Sequence, residues 1–153
     1  MGEGSLVAKN PSAGRDYHLI ETVEAGLELK GSEVKSLRDH RVSLRDAFAR
    51  IEKGQAWLYG MEITPYKQAG PSAPDSKRFR RLLLHRAEIA RLESKVVRKG
   101  FTLVATRLYF KGPYAKVEIA LAQGKQAFDK RETIKEREAD RDMARALKMR
   151  KRG

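Results

Sequence analysis

The feature that most constrains this chain is an abrupt change of texture at Gly124-Lys125-Gln126-Ala127-Phe128-Asp129-Lys130-Arg131. Before it lie short runs that alternate apolar and polar residues. After it nearly every second or third residue is charged, and only Ile134, Met143, Leu147 and Met149 are large and apolar. A segment so poor in apolar side chains cannot build a core of its own. The chain therefore divides into a compact body at 16–124 and a basic tail at 125–153, with residues 1–15, poor in large apolar groups and holding Gly, Pro and Ser, expected as a flexible arm.

The body reads mainly as strands. Tyr17, Leu19, Glu21 and Val23 alternate with their neighbours, Glu24-Ala25-Gly26 reads as a turn, and Leu27 and Leu29 as a returning strand. Ser32 reads as the N-cap of a short helix through Arg38, with Val34 and Leu37 facing the core. Lys35 and Arg38 share an adjacent face, open to two readings: a solvated helical face, or phosphate contact. Residues 47–52 and 56–63 read as a hairpin around Lys53-Gly54. Trp57, Tyr59, Met61 and Ile63 share one parity and are expected in the core, because a base-stacking platform would be interleaved with basic residues.

A Pro-rich loop at 64–76 ends in Lys77, Arg78, Arg80 and Arg81, directly before Leu82-Leu83-Leu84. Residues 86–99 read as a helix with Ile89, Leu92 and Val96 as its apolar stripe and Gly100 as its stop. Two long strands at 101–110 and 115–122 follow, joined at Gly112-Pro113, the first apolar on both faces. Short strands separated by turns predict a small antiparallel barrel of OB-fold type with two or three flanking helices. In the tail Arg137, Arg141, Arg145, Lys148 and Arg152 recur 4, 4, 3 and 4 apart, one basic stripe if helical. Glu138 and Asp142 offset repulsion within the stripe, but the apolar residues are too few to dock the segment on the body, which predicts disorder in the free chain and helix on RNA; a solvated tail without an ordered target is the other reading.

Charge narrows the function. Lys plus Arg number 33 against 20 Asp plus Glu, a formal +13, which favours a polyanionic partner over a neutral one. No apolar run approaches the length of a membrane span, no basic amphipathic helix with an aromatic face is visible, and no signal peptide opens the chain, so a cytoplasmic protein without a membrane partner is expected. With no cysteine, thiolate metal sites and cysteine nucleophiles are excluded. His18, His40 and His85 show neither metal-ligand nor nucleophile–base spacing, so neither a metal, a cofactor nor catalysis is expected.

Several pieces in fixed order carry a resemblance: Asn10-x-x-Ala13-x-x-Asp16-Tyr17, Glu24-Ala25-Gly26, Gly31-Ser32-Glu33-Val34-Lys35-Ser36-Leu37-Arg38, Arg80-Arg81-Leu82-Leu83-Leu84, Gly100-x-Thr102-Leu103-Val104, Gly124-Lys125 with Asp129-Lys130-Arg131, and Ile134-Lys135-Glu136-Arg137-Glu138. The chain resembles the SsrA-binding protein family, also called small protein B, the bacterial partner of transfer-messenger RNA, from about Asn10 to Lys148. The resemblance implies an OB-fold barrel gripping the tRNA-like domain of that RNA, in a one-to-one complex with a monomer. Asn10, Tyr17, Glu24 and Leu83 match family positions tied to RNA binding, and Lys35, Arg38, Arg80, Arg81 and Lys125 complete the expected RNA-contacting set. Tyr17 and Leu83 also read as ordinary core packing, Leu83 more so.

The same resemblance implies that the tail enters the empty messenger channel of a stalled ribosome at the small-subunit decoding centre. Phe128 would stack on a ribosomal base, while Asp129, Lys130, Arg131, Ile134, Lys135, Arg137, Arg141, Arg145 and Lys148 would line the channel. The chain departs from the family pattern at Ser32, usually Thr, and at Ala105, where many members have Pro.

Overall fold

The computed structural model describes residues 5–65 and 74–124. Nine strands and three helices run in the order β1 (Ser5–Lys9), α1 (Ala13–Asp16), β2 (Tyr17–Leu27), α2 (Gly31–Arg38), β3 (Val42–Ser43), β4 (Phe48–Glu52), β5 (Gln55–Tyr59), β6 (Glu62–Ile63), β7 (Arg80–Leu83), α3 (Arg86–Lys99), β8 (Thr102–Lys111) and β9 (Tyr114–Gly124) among the described residues. The main sheet has the order β1-β8-β4-β5-β7-β2-β9, and β8 also pairs with β9, so six strands close into a ring with β1 laid along β8. Closure leaves the ring without an open edge, the usual liability of a small antiparallel sheet. The compact unit holding the ring ends at Gln123.

Alternation fills the ring. Leu58, Leu82, Leu103, Leu108, Val117, Ile119 and Leu121 point inward and are buried, joined by Leu37 of α2 and Leu92 of α3. Small residues, Ala25, Ala49, Ala56, Ala105 and Ala115, let the strands close around them. The doubly apolar character of β8 has its cause in a second cluster, where Ala13 of α1 and Tyr17 cover Val104, Ala120 and Ala122. Gly100 ends α3 in the left-handed region, its N–H bonded to the Val96 carbonyl.

Four expectations from the sequence are corrected. Residues 1–15 are not an arm throughout: Ser5–Lys9 pairs with Arg107–Phe110, and Asn10 N–H bonds the Thr106 carbonyl at 2.8 Å. Backbone pairing with β8 holds that strand, and Val7 and Ala8 pack against the core; a partner so far along the chain leaves no mark in local composition. No turn interrupts residues 24–26, since β2 runs unbroken to Leu27 and pairs with β7. Gly26 serves close approach instead: a Cβ there would lie 3.1 Å from the Leu83 Cβ. Ser32 is not the N-cap; Lys30 is, two residues earlier, and the Glu33 carboxylate accepts the Lys30 N–H at 3.0 Å.

The fourth concerns aromatic residues. Met61 and Ile63 are buried, but Trp57 and Tyr59 lie on the outer face, because inward parity in β5 belongs to Ala56 and Leu58. Gly60, at φ +80°, breaks the strand between the two pairs, and β6 pairs with β3 in a separate two-stranded sheet. The Lys53-Gly54 turn is as expected, with both residues at positive φ (51° and 74°), the signature of a tight type I′ hairpin.

One buried charge cluster fastens α2 to the start of β7. Glu33, 3% exposed, accepts from Arg78 and from Arg80, whose Nη2 lies 2.7 Å from Oε2. Arg80, 1% exposed, also donates to the carbonyls of Met61, Arg78 and Ser76. Burial alone would raise the Glu33 pKa; hydrogen bonds from Arg78, Lys30 and Arg80 outweigh it and hold it below the ordinary value. Unfolding therefore takes up a proton in the acid range, so this contribution is full above the unfolded carboxylate pKa and lost as pH falls through the folded one. Glu33→Gln is expected to cost about 3–5 kcal/mol in urea unfolding at pH 7, because Arg80 is left buried without its counter-charge. The variant's stability should also fall less steeply on acidification than the parent's. A loss under about 1 kcal/mol would show the cluster to be dispensable.

Candidate nucleic-acid interface

The outer face of the β2–β7 pair gathers one coherent group of the expected residues. Gly26 pairs with Leu83, so β2 and β7 meet side by side, and a groove there is lined by Glu24, Arg81, Leu83, His85, Arg86 and Lys116 among others. Leu83 is 49% exposed. Packing therefore does not account for it: the inward residue of β7 is Leu82, and Leu83 offers an apolar surface to the groove.

Glu24 is the best-positioned polar group on this face. Its carboxylate accepts from the Tyr109 hydroxyl and pairs with the Lys111 ammonium at 3.0 Å. The Tyr109 hydrogen bond is the main reason its pKa lies below the ordinary carboxylate value; Lys111 and Lys116 add to the effect. In turn burial, and then the Glu24 bond, push the Tyr109 phenol up, so it remains a donor at neutral pH. The result is an ionised carboxylate, partly exposed and locked in orientation by neighbours on the last two strands. Such a group repels bare phosphate but accepts hydrogen bonds from ribose hydroxyls or base edges, while Lys116, Arg86 and Arg81 supply phosphate partners.

Other expected residues sit elsewhere. Asn10 is buried and its amide is engaged within the protein, donating to the Ala105 carbonyl at 2.8 Å and accepting from the Ser12 N–H and hydroxyl. It pins the link between β1 and α1 onto β8. Tyr17, half-buried, lines a separate cleft with Asn10, Asp16 and Phe48. Lys35 and Arg38 are exposed on α2, and the Arg38 guanidinium lies 4.3 Å from the centre of the Phe110 ring. Arg80 is corrected outright: it is enclosed by Glu33 and three carbonyls and has no surface to offer a phosphate. Charge in a basic run is no guide to direction, because alternation in β7 sends Arg81 outward and Arg80 inward.

Sequence reasoning missed Lys116, Tyr109, Lys111 and Arg86. The first was legible, since Lys116 alternates with the inward Val117. The Tyr109–Glu24 bond spans 85 residues and leaves no local trace. Lys125, Phe128, Asp129, Lys130, Arg131, Ile134, Lys135, Arg137, Arg141, Arg145 and Lys148 lie outside the described residues. Among the described residues no group of three His, Asp or Glu is placed to hold a metal ion, and no helix is long and apolar enough to cross a membrane.

Removing the Tyr109 hydroxyl tests the locked carboxylate. In Tyr109→Phe the Glu24 pKa, followed by carbon-detected NMR titration, should move up toward the ordinary carboxylate value of about 4.3. An unchanged titration would mean that the lysines alone hold Glu24 ionised.

Comparison with known proteins agrees over nearly the whole chain. The family model described as SmpB protein matches residues 7–149. An SsrA-binding protein of Carboxydothermus hydrogenoformans is 52% identical over 145 residues, covering 95% of this chain and 97% of that one. Its counterpart from Geobacillus kaustophilus is 48% identical over 149 residues, covering 97% and 96%. A solved structure described as "tmRNA-SmpB: a journey to the center of the bacterial ribosome" is similar at a TM-score of 0.65 and 46% identity, over 77% of this chain and 83% of that one. On these matches, the chain belongs to the SmpB protein family.

Proposed function

We propose that this protein is a non-catalytic adaptor that binds the tRNA-like domain of transfer-messenger RNA and delivers it to stalled ribosomes, working in the cytoplasm as a monomer on one RNA. The observation that carries the reading is the groove between β2 and β7. An orientation-locked Glu24 stands beside an exposed Leu83, among Arg81, Arg86 and Lys116. A folded RNA elbow presents phosphates, 2′-hydroxyls and exposed bases, which are the groups such a surface can satisfy. Arg81, Arg86 and Lys116 supply affinity; Glu24 supplies selectivity, since it penalises any RNA that brings only phosphate to that point. Asn10 and Tyr17 act by positioning β1 and α1 against the ring.

The tail has a separate task in this reading. Residues 125–153 occupy the empty messenger channel, with Phe128 stacking in the decoding centre and Asp129, Lys130 and Arg131 beside it. The stripe of Arg137, Arg141, Arg145 and Lys148 meets ribosomal phosphates and gains helical order there. Catalysis has no part in it, because the work is recognition and placement.

Truncation after Asp129 separates body from tail. The shortened protein should bind the tRNA-like domain within a few-fold of the full chain yet fail to support tagging on stalled ribosomes. Binding by the full chain should weaken with salt by roughly 0.7 log units per log unit of salt for each phosphate neutralised. If truncation abolishes RNA binding, the tail rather than the ring supplies the affinity, and the division of tasks is wrong. If a poly-uridine strand competes with the tRNA-like domain equally well, recognition of a folded elbow is wrong.

A further inference from the structure

The outer face of β4, β5 and β7 carries an arrangement that the groove between β2 and β7 does not use. Pairing sets Phe48 opposite Tyr59 and Arg50 opposite Trp57 across β4 and β5, then Trp57 opposite Arg81 across β5 and β7. Phe79 enters just before β7 on the same outward side. The rings touch: Phe48 stacks on Tyr59 with centroids 5.5 Å apart, Tyr59 on Phe79 at 5.4 Å, and Phe79 meets Trp57 edge-on at 5.4 Å. The Arg50 guanidinium lies 5.6 Å from the Phe48 ring centre and 5.8 Å from that of Tyr59.

The inward face of these strands is already filled by Ala49, Ala56, Leu58 and Leu82, so core packing does not explain the aromatics. Phe79 is 52% exposed, a large apolar side chain left standing in water. A groove runs beside it, lined by Trp57, Tyr59, Phe79, Arg81 and Lys53, with Glu28 and Glu52 also on its walls. Glu52 faces the Tyr59 hydroxyl at 3.4 Å. Flat ring faces interleaved with arginines match the chemistry of unpaired bases strung on a phosphate backbone. A proline-rich segment also uses aromatic grooves, but it brings no anion to satisfy Arg50, Arg81 and Lys53.

We propose that this face is a second RNA site, a stacking platform for one or two unpaired bases of a single-stranded segment, with Trp57, Tyr59 and Phe79 as the ring surfaces and Arg50 and Arg81 as phosphate partners. It rests on the RNA-binding reading and extends it. Arg81 lines both grooves, so a folded RNA held between β2 and β7 can lay an adjoining single strand over the platform.

The chain's one tryptophan lies in the platform and gives a direct readout. The full-length protein is titrated with a fluorophore-labelled oligoadenylate octamer, followed both by anisotropy and by Trp57 emission. Binding should quench Trp57, and Phe79→Ala should weaken octamer binding by about five- to a hundred-fold, while Phe79→Tyr keeps it. Binding of a folded tRNA-like domain should change little in Phe79→Ala. Three results overturn the platform: no octamer binding, saturating anisotropy with unchanged Trp57 emission, or equal octamer affinity for the parent and Phe79→Ala. Displacement of the octamer by a proline-rich peptide at similar concentration would assign the face to a protein partner instead. If the parent binds the tRNA-like domain but not the octamer, the platform alone falls; if it binds neither, the adaptor reading falls with it.

Discussion

The structure depends on a carboxylate almost wholly withdrawn from water. Glu33 is enclosed between α2 and the residues leading into β7, and it is tolerated there only because Arg78, Arg80 and the Lys30 amide surround it. Removing two opposite charges from water costs several kcal/mol per ion, so such a cluster is a weak source of net stability. Its visible effect is to tie α2 to the start of β7. The Arg80 fork reaches Glu33 and the carbonyls of Met61, Arg78 and Ser76 together, so one side chain joins α2 to residues before β6 and before β7. With Arg80 turned inward, alternation along β7 places Arg81 and Leu83 on the outer face.

Outward-facing chemistry follows from that alignment. On one side of β7, Leu83 and Arg81 join β2 and the Glu24 carboxylate held by Tyr109 and Lys111. On the other, Arg81 and Phe79 join the ring-and-arginine face of β5 and β4. The closed ring carries most of both surfaces on its strands, with Phe79 just before β7 and Lys53 in the β4–β5 turn as the exceptions. The helices add a second bracing. Glu21 of β2 accepts from Arg91 at 2.7 Å and from Lys95, tying α3 to the strand that carries Glu24.

Much of this was legible in the residues. The 86–99 helix with its Gly100 stop, the hairpin at Lys53-Gly54 and the long pair β8–β9 came directly from periodicity and turn chemistry. Most of the unread parts share one cause, non-local pairing. Gly26 reads as a turn until Leu83, far along the chain, is found against it. Trp57 and Tyr59 share parity with Met61 and Ile63, and only the break at Gly60 and the strands on either side reveal that they face opposite ways. Arg80 reads as one more cation in a basic run, because nothing nearby announces that its partner is Glu33. Of the groove between β2 and β7, Glu24, Arg81 and Leu83 were thus singled out from the sequence, while Arg86 and Lys116 were not.

The central claim is that Leu83 and its neighbours on β2 and β7 form the surface on which folded RNA lies. Hydroxyl-radical footprinting of the full chain, with and without the tRNA-like domain, tests it most directly, because Leu83 and Val97 are both exposed and both react. The account predicts that labelling of Leu83 falls several-fold on RNA binding while Val97 on α3 stays as reactive as before. Equal labelling of Leu83 in the two states, with saturating RNA present, would contradict it.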